Sequence, residues 1–289
     1  MAFKYPQYLV ETDWLEDHLN DSDIRILDCT AFNRPDGSGG VRAESGHESW
    51  ATEHIPGSRH ADLVNDLSDK DASLRYMMPP VEQFARAMSD YGVGAGARAV
   101  LYDSTTGSWA TRIWWMLRSF GFDDACILNG GLHKWKLEGR PLTTSPSTYP
   151  PAIFHAKPKS GLIADKAEVL AALGQGPTCI LNALSEEQHL GSGGANYGRA
   201  GHIAGSGNVP AGDLLDSVTH AYLPAELLAE RFAQVGADSA DRVITYCGGG
   251  IAASNDAFIL TLLGYENVAV YDASMSEWAA DVSLPMQTG

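Results

Sequence analysis

Basic residues, cysteines and long apolar runs are all scarce, and each shortage closes off a class of function. Lysine and arginine number 20 against 36 aspartates and glutamates, for a net charge of −16. A surface of that sign repels nucleic acid and anionic lipid, which excludes both as expected partners. No apolar stretch approaches the roughly 18 residues of a membrane span. The opening "MAFKYPQYLVETDWLEDHLN" lacks the charged-then-apolar layout of a signal peptide, so a cytoplasmic protein is expected. The four cysteines, Cys29, Cys126, Cys179 and Cys247, stand singly without CxxC spacing. That argues against a zinc site or a disulfide framework and suits a reducing compartment.

What the chain does have is alternation. Short β-rich runs at 23–28, 97–102 and 124–128 are separated by helical patterns at 81–93 and 108–122. The same order returns with strands at 177–182, 242–246 and 266–272 and helices at 224–236 and 252–265. Strands alternating with helices indicate an α/β fold with parallel sheets. The letters themselves repeat: "ILDC" at 26–29 with "ILNA" at 180–183, "EHIPGS" at 53–58 with "GHIAGS" at 201–206. "VLYD" at 100–103 returns as "ITYC" at 244–247 and "NGGLHKW" at 129–135 as "DASMSEW" at 272–278. Displacements of 143 to 154 residues, always in the same order, read as a duplicated domain. The expected boundaries are 1–144 and 162–289, joined by the proline-rich segment 145–161.

The two copies differ where it matters: Cys247 ends a predicted strand of the second, and Asp103 takes that place in the first. In open parallel sheets, ligands bind beyond the carboxyl ends of the strands. Gly248, Gly249 and Gly250 follow the thiol and let the backbone curl around it. The amides of residues 248 to 253 are then expected to converge on one point at a helix N-terminus, where a thiolate is stabilised over the thiol. The alternative is a buried structural thiol, with the three glycines serving only as a tight strand-to-helix turn. Cys29, Cys126 and Cys179 lie in or beside apolar strands with no glycines around them and are assigned to packing. A cysteine phosphatase loop needs an arginine six residues after the thiol; here that residue is Ala253.

"EHIPGS", "GSWATRIWWMLRSFGF" with "LNGGLHKW", "AGHIAGS", "YCGGGIAAS" and "YDASMSEW" together resemble the two-domain rhodanese family, the thiosulfate and 3-mercaptopyruvate sulfurtransferases. The resemblance covers essentially the whole chain. It implies two tandem rhodanese-like domains, each a parallel sheet flanked by helices, with only the second catalytic. It also implies that Cys247 accepts sulfur as a persulfide and hands it to cyanide, a thiol or a sulfur-acceptor protein. No metal or organic cofactor is expected. The substrate-binding shell would be Gly248, Gly249, Gly250, Ile251, Ala252 and Ala253, with Trp109 as the aromatic that the family turns to the cleft. Gly249 stands where mercaptopyruvate enzymes carry serine, which tips the expected donor toward thiosulfate, while the uncharged loop tips it back. Leu184 and Gln188 stand where family arginines are usual, and Arg199 is put forward as the replacement clamp for the anionic donor. His54 and His202 occur in both copies and read as structural, with His54 the weaker candidate for facing the cleft. Trp114 and Trp115 are expected in the interior or between the domains. A persulfide relay with little small-molecule turnover is the alternative function.

Overall fold

The computed structural model describes residues 2–37, 41–174, 176–195 and 197–289. The chain forms two five-stranded sheets in which all paired strands run parallel. In the first, the spatial order is Leu9–Val10, Ala125–Leu128, Arg98–Tyr102, Ile24–Asp28 and Arg59–His60. In the second it is Ile163–Ala164, Val268–Tyr271, Arg242–Tyr246, Thr178–Asn182 and Gly207–Asn208. The two orders match strand for strand, so the repeat in the letters is a repeat in space. The central strands are apolar without alternation because helices cover both faces of each sheet.

One helix from each copy packs on the other across the domain interface: Ser108–Ser119 and Ile251–Leu263. Trp114 meets Phe258 there edge to face, with ring centroids 4.8 Å apart. The second helix has almost no polar face, since its own sheet and the neighbouring helix bury it on nearly every side. A buried ion pair joins the copies, Arg112 Nη2 to Asp272 Oδ1 at 2.6 Å. Arg112 also donates to the Tyr76 carbonyl at 2.6 Å, and Met78 N donates to Asp272 Oδ2 at 2.8 Å. The segment around Tyr76 and Met78 is thereby strapped to the second domain.

Segment 145–161 carries no helix or strand, yet it lies bound along the first domain. The Tyr149 hydroxyl donates to the Gly57 carbonyl and accepts from Ile26 N, Ala152 N and Lys157 N donate to the carbonyls of Ser89 and Phe120, and Phe154 is buried against Phe84. Its aromatic side chains make it a fastened strap. One antiparallel hairpin, Ala31–Pro35 with Val41–Ser45, belongs to the first copy alone.

Candidate active site

Cys247 follows the strand Arg242–Tyr246 directly, at its carboxyl end, and is 2% exposed. The chain then turns through three glycines into the helix Ile251–Leu263. Gly250 makes the turn in the left-handed region, φ +79°, and a Cβ there would approach Arg112 Nη1 to 3.0 Å and the Asp272 carbonyl to 3.1 Å. Gly248 lies under the Tyr197 ring: a Cβ on it would stand 2.0 Å from the phenol oxygen.

The turn is held from beneath by the residues after the next strand. Cys247 N and Gly250 N both donate to Ser274 Oγ, at 3.1 and 3.2 Å, and that hydroxyl donates to the Tyr271 carbonyl at 2.7 Å. Met275 N donates to the Cys247 carbonyl at 3.0 Å, and Ser276 donates to the Gly248 carbonyl through both N and Oγ. Ser274 itself sits at φ +51°, a costly conformation for a residue with a side chain. The expected convergence of every amide from 248 to 253 therefore needs one correction: the Gly250 amide is aimed at Ser274. The amides of Gly248, Gly249, Ile251, Ala252 and Ala253 have no oxygen acceptor among the described residues.

The first copy shows what such a turn holds. Asp103 follows its own strand in the same way, and Gly107, φ +82°, caps the helix Ser108–Ser119 as Gly250 caps its counterpart. The Asp103 carboxylate, 1% exposed, accepts from the amides of Thr105 and Gly107 on one oxygen and from those of Trp109 and Ala110 on the other, at 2.7 to 3.1 Å. Counted from the capping glycines, Trp109 and Ala110 match Ala252 and Ala253. In one copy the anion-binding turn is filled by its own carboxylate; in the other it opens beside a sulfur.

Cys247 lines a cavity of about 210 Å³ whose walls come from both copies. The second copy supplies Gly248, Gly249, Ile251, Ala252, Leu184 and Tyr197; the first supplies Arg75, Tyr76, Trp109, Asn33, Val41 and Ser108. Trp109 and Tyr76 meet edge to face at 5.4 Å, and the Tyr76 hydroxyl donates to Asn33 Oδ1 at 2.8 Å. Burial pushes the phenols of Tyr76 and Tyr197 up to about 12, so both present neutral hydroxyls.

The rhodanese-like domain matches this chain twice, over residues 11–138 and 165–281. The chain belongs to the rhodanese family. A probable 3-mercaptopyruvate sulfurtransferase of Pseudomonas aeruginosa is 34% identical over 97% of this chain and 98% of its own length. The 3-mercaptopyruvate sulfurtransferase of Escherichia coli K12 is 31% identical over the same shares. Among solved structures, Escherichia coli SseA, described as a 3-mercaptopyruvate sulfotransferase, superposes with a TM-score of 0.80 at 29% identity, covering 92% of this chain and 98% of that one.

Within this rhodanese frame the sequence-predicted residues sort into three groups. Cys247, Gly248, Gly249, Ile251, Ala252 and Trp109 border the cavity. Gly250 and Ala253 do not: the first shapes the turn, and the second is buried with its carbonyl accepting from the Thr245 hydroxyl. Arg199 is a correction. Its guanidinium is spent on four carbonyls, those of Trp278, Ala279, Asp281 and Leu284, at 2.6 to 3.0 Å, and it does not line the Cys247 cavity. It fastens the C-terminal segment instead.

His54 is also corrected, since it is buried away from the cleft between Trp50 and the Ser145 carbonyl. His202 is structural as read, stacked on His189 at 3.6 Å; burial and that neighbour hold His189 down to about 4. Cys29, Cys126 and Cys179 pack in or beside the sheets, and burial pushes all three thiols up, the last two to about 11. Trp114 and Trp115 are interior, the former at the interface. Sequence reading missed Arg75, Tyr76, Tyr197 and Ser274, which come from segments remote from the cysteine.

Proposed function

We propose that the chain is a sulfurtransferase that takes sulfane sulfur from thiosulfate or 3-mercaptopyruvate and carries it as a persulfide on Cys247. One observation carries this reading: the thiol opens into a cavity at a turn whose twin in the first copy binds a carboxylate through four amides. With thiosulfate, the Cys247 thiolate attacks the outer sulfur, a sulfur–sulfur bond forms, and sulfite leaves with the electron pair of the bond that breaks. Cyanide then attacks the outer sulfur of the persulfide, thiocyanate departs, and the thiolate is restored. A thiol or an acceptor protein takes the sulfur in the same way. The free amides offer hydrogen bonds to the negative sulfur in both states.

With 3-mercaptopyruvate the bond that breaks is carbon–sulfur: its electron pair stays on carbon as the enolate of pyruvate, which takes up a proton, and neither route calls on a cofactor. Four free cysteines suit a cytoplasmic setting. Among the described residues no helix is long and apolar enough to cross a membrane.

The test is steady-state turnover with each donor and cyanide, for wild type and Cys247→Ser. Loss of thiocyanate formation to background and loss of the sulfur adduct on the protein are expected; retained turnover would remove Cys247 from the scheme. A second reading has support in a relative, the sulfur carrier protein TtuD of Thermus thermophilus, 29% identical over 100% of this chain. In a carrier, one sulfur loads onto Cys247 without repeated turnover, so counting turnovers per protein separates the two.

A further inference from the structure

The donors named above are anions, and the protein they approach carries a net charge of −16. The positions where the family resemblance leads one to expect arginines hold Leu184 and Gln188, and Arg199 is consumed by backbone carbonyls. Among the described residues around the Cys247 cavity, the one side chain with a fixed charge is Arg75, from the other copy.

Resting on the function proposed above, we propose that Arg75 is the donor-recognition residue: its guanidinium, brought by the first copy to the rim of the cavity, takes the carboxylate or sulfonate end of the donor.

Three features make Arg75 a fixture of the site. Its backbone is clamped against the catalytic turn: the Arg75 carbonyl and the Tyr76 ring both lie 3.9 Å from where a Cβ on Gly249 would be. The strap that carries it is anchored at Tyr76 by the buried Arg112–Asp272 pair and at Met78 by Asp272. Its guanidinium bonds the Val41 carbonyl through Nη1 and has no other acceptor among the described residues, which leaves the rest of the planar fork for an oxyanion. The electrostatics agree with this placement. The Arg75 charge favours ionisation of both the Tyr76 and the Tyr197 phenols, and Cys247 acts on Tyr197 in the opposite direction. Arg75, Tyr197 and Cys247 all line one cavity, of a size that fits one small molecule.

The test compares two alkylating agents of similar size on Cys247, anionic iodoacetate and neutral iodoacetamide, in wild type, Arg75→Gln and Arg75→Lys. Losing one charge-assisted contact should lower the iodoacetate-to-iodoacetamide rate ratio about tenfold in Arg75→Gln, with most of it kept in Arg75→Lys. In parallel, the KM for thiosulfate and for 3-mercaptopyruvate should rise about tenfold in Arg75→Gln. Discharge of preformed persulfide to 2-mercaptoethanol, which has no carboxylate or sulfonate for the guanidinium to hold, should slow less than loading from either donor. The donor whose KM moves more is the one whose charged end reaches the guanidinium. A rate ratio equal to wild type in Arg75→Gln would overturn the proposal. Should wild type load from neither donor while the ratio still falls, the sulfurtransferase reading fails and recognition of anions by Arg75 stands.

Discussion

At the scale of single residues, Gly248, Gly249 and Gly250 are identical in the sequence and unlike in space. A methyl on Gly250 would require a left-handed alanine and press on Arg112 and Asp272. The backbone term alone is about 1–2 kcal/mol, so Gly250→Ala should lower the denaturation midpoint clearly. At Gly249 nothing lies nearer than 3.9 Å to an added Cβ, and the backbone φ is ordinary. Gly249→Ser, which restores the serine of mercaptopyruvate enzymes, should therefore fold as wild type does and raise turnover of 3-mercaptopyruvate relative to thiosulfate. An unchanged donor ratio would dismiss the serine as a determinant here. The cysteine at the cavity and its glycine turn were legible because they stand in nine consecutive letters. Arg75 was not, because an exposed arginine in "ASLRYMMPP" gains its meaning only from a fold that lays it beside residue 249. Arg199 misled for the converse reason: nearness in sequence to a family motif says nothing of four carbonyls arriving from residues 278 to 284.

At the scale of elements, the catalytic turn owes its shape to a neighbour. Ser274 gives one hydroxyl to two buried amides and holds a strained backbone to do so. Ser274→Gly would relieve a φ cost of about 1–3 kcal/mol but leave the amides of Cys247 and Gly250 without an acceptor, at about 1–3 kcal/mol each. A net loss of stability is expected, together with a lower rate of persulfide formation; a more stable and fully active variant would show the hydroxyl to be dispensable. The core strands and the long helices were legible from β-branched runs and helical spacing. The edge strands Leu9–Val10, Arg59–His60, Ile163–Ala164 and Gly207–Asn208 were not, since two residues carry no period. The paired strands Ala31–Pro35 and Val41–Ser45 left a signal at the end of the first, "PDG" at 35–37, a composition that breaks an extended run.

For the whole molecule, a buried ion pair and a buried, unpartnered carboxyl near the packed helices set the terms. The Arg112–Asp272 pair is closed to water on both sides, and removing one partner strands the other at a cost of about 3–5 kcal/mol. Arg112→Met should lower stability and also weaken the donor, because the strap bearing Arg75 loses its anchor; loss of stability with an unaltered KM would separate the two roles. Asp256 is the opposite case. Burial pushes its carboxyl well above the ordinary range, and neither oxygen has a partner among the described residues. The unfolded chain releases this proton near pH 4 while the folded one keeps it, so folding is penalised increasingly as pH rises from about 4 toward the raised value. Asp256→Asn removes the penalty: its melting temperature should gain on wild type by a margin that widens as pH rises from about 4. A margin flat in pH would show that the carboxyl stays ionised.

The carboxylate of Asp103 closes its own ring of amides to any other anion. A copy that satisfies its turn internally has no vacancy there for a guest, and its loops instead bring Arg75, Tyr76 and Trp109 to the cavity beside Cys247. Severing the chain between the copies should thus leave the Cys247 sulfur in an open trough, stripped of the wall that Trp109, Tyr76 and Arg75 supply.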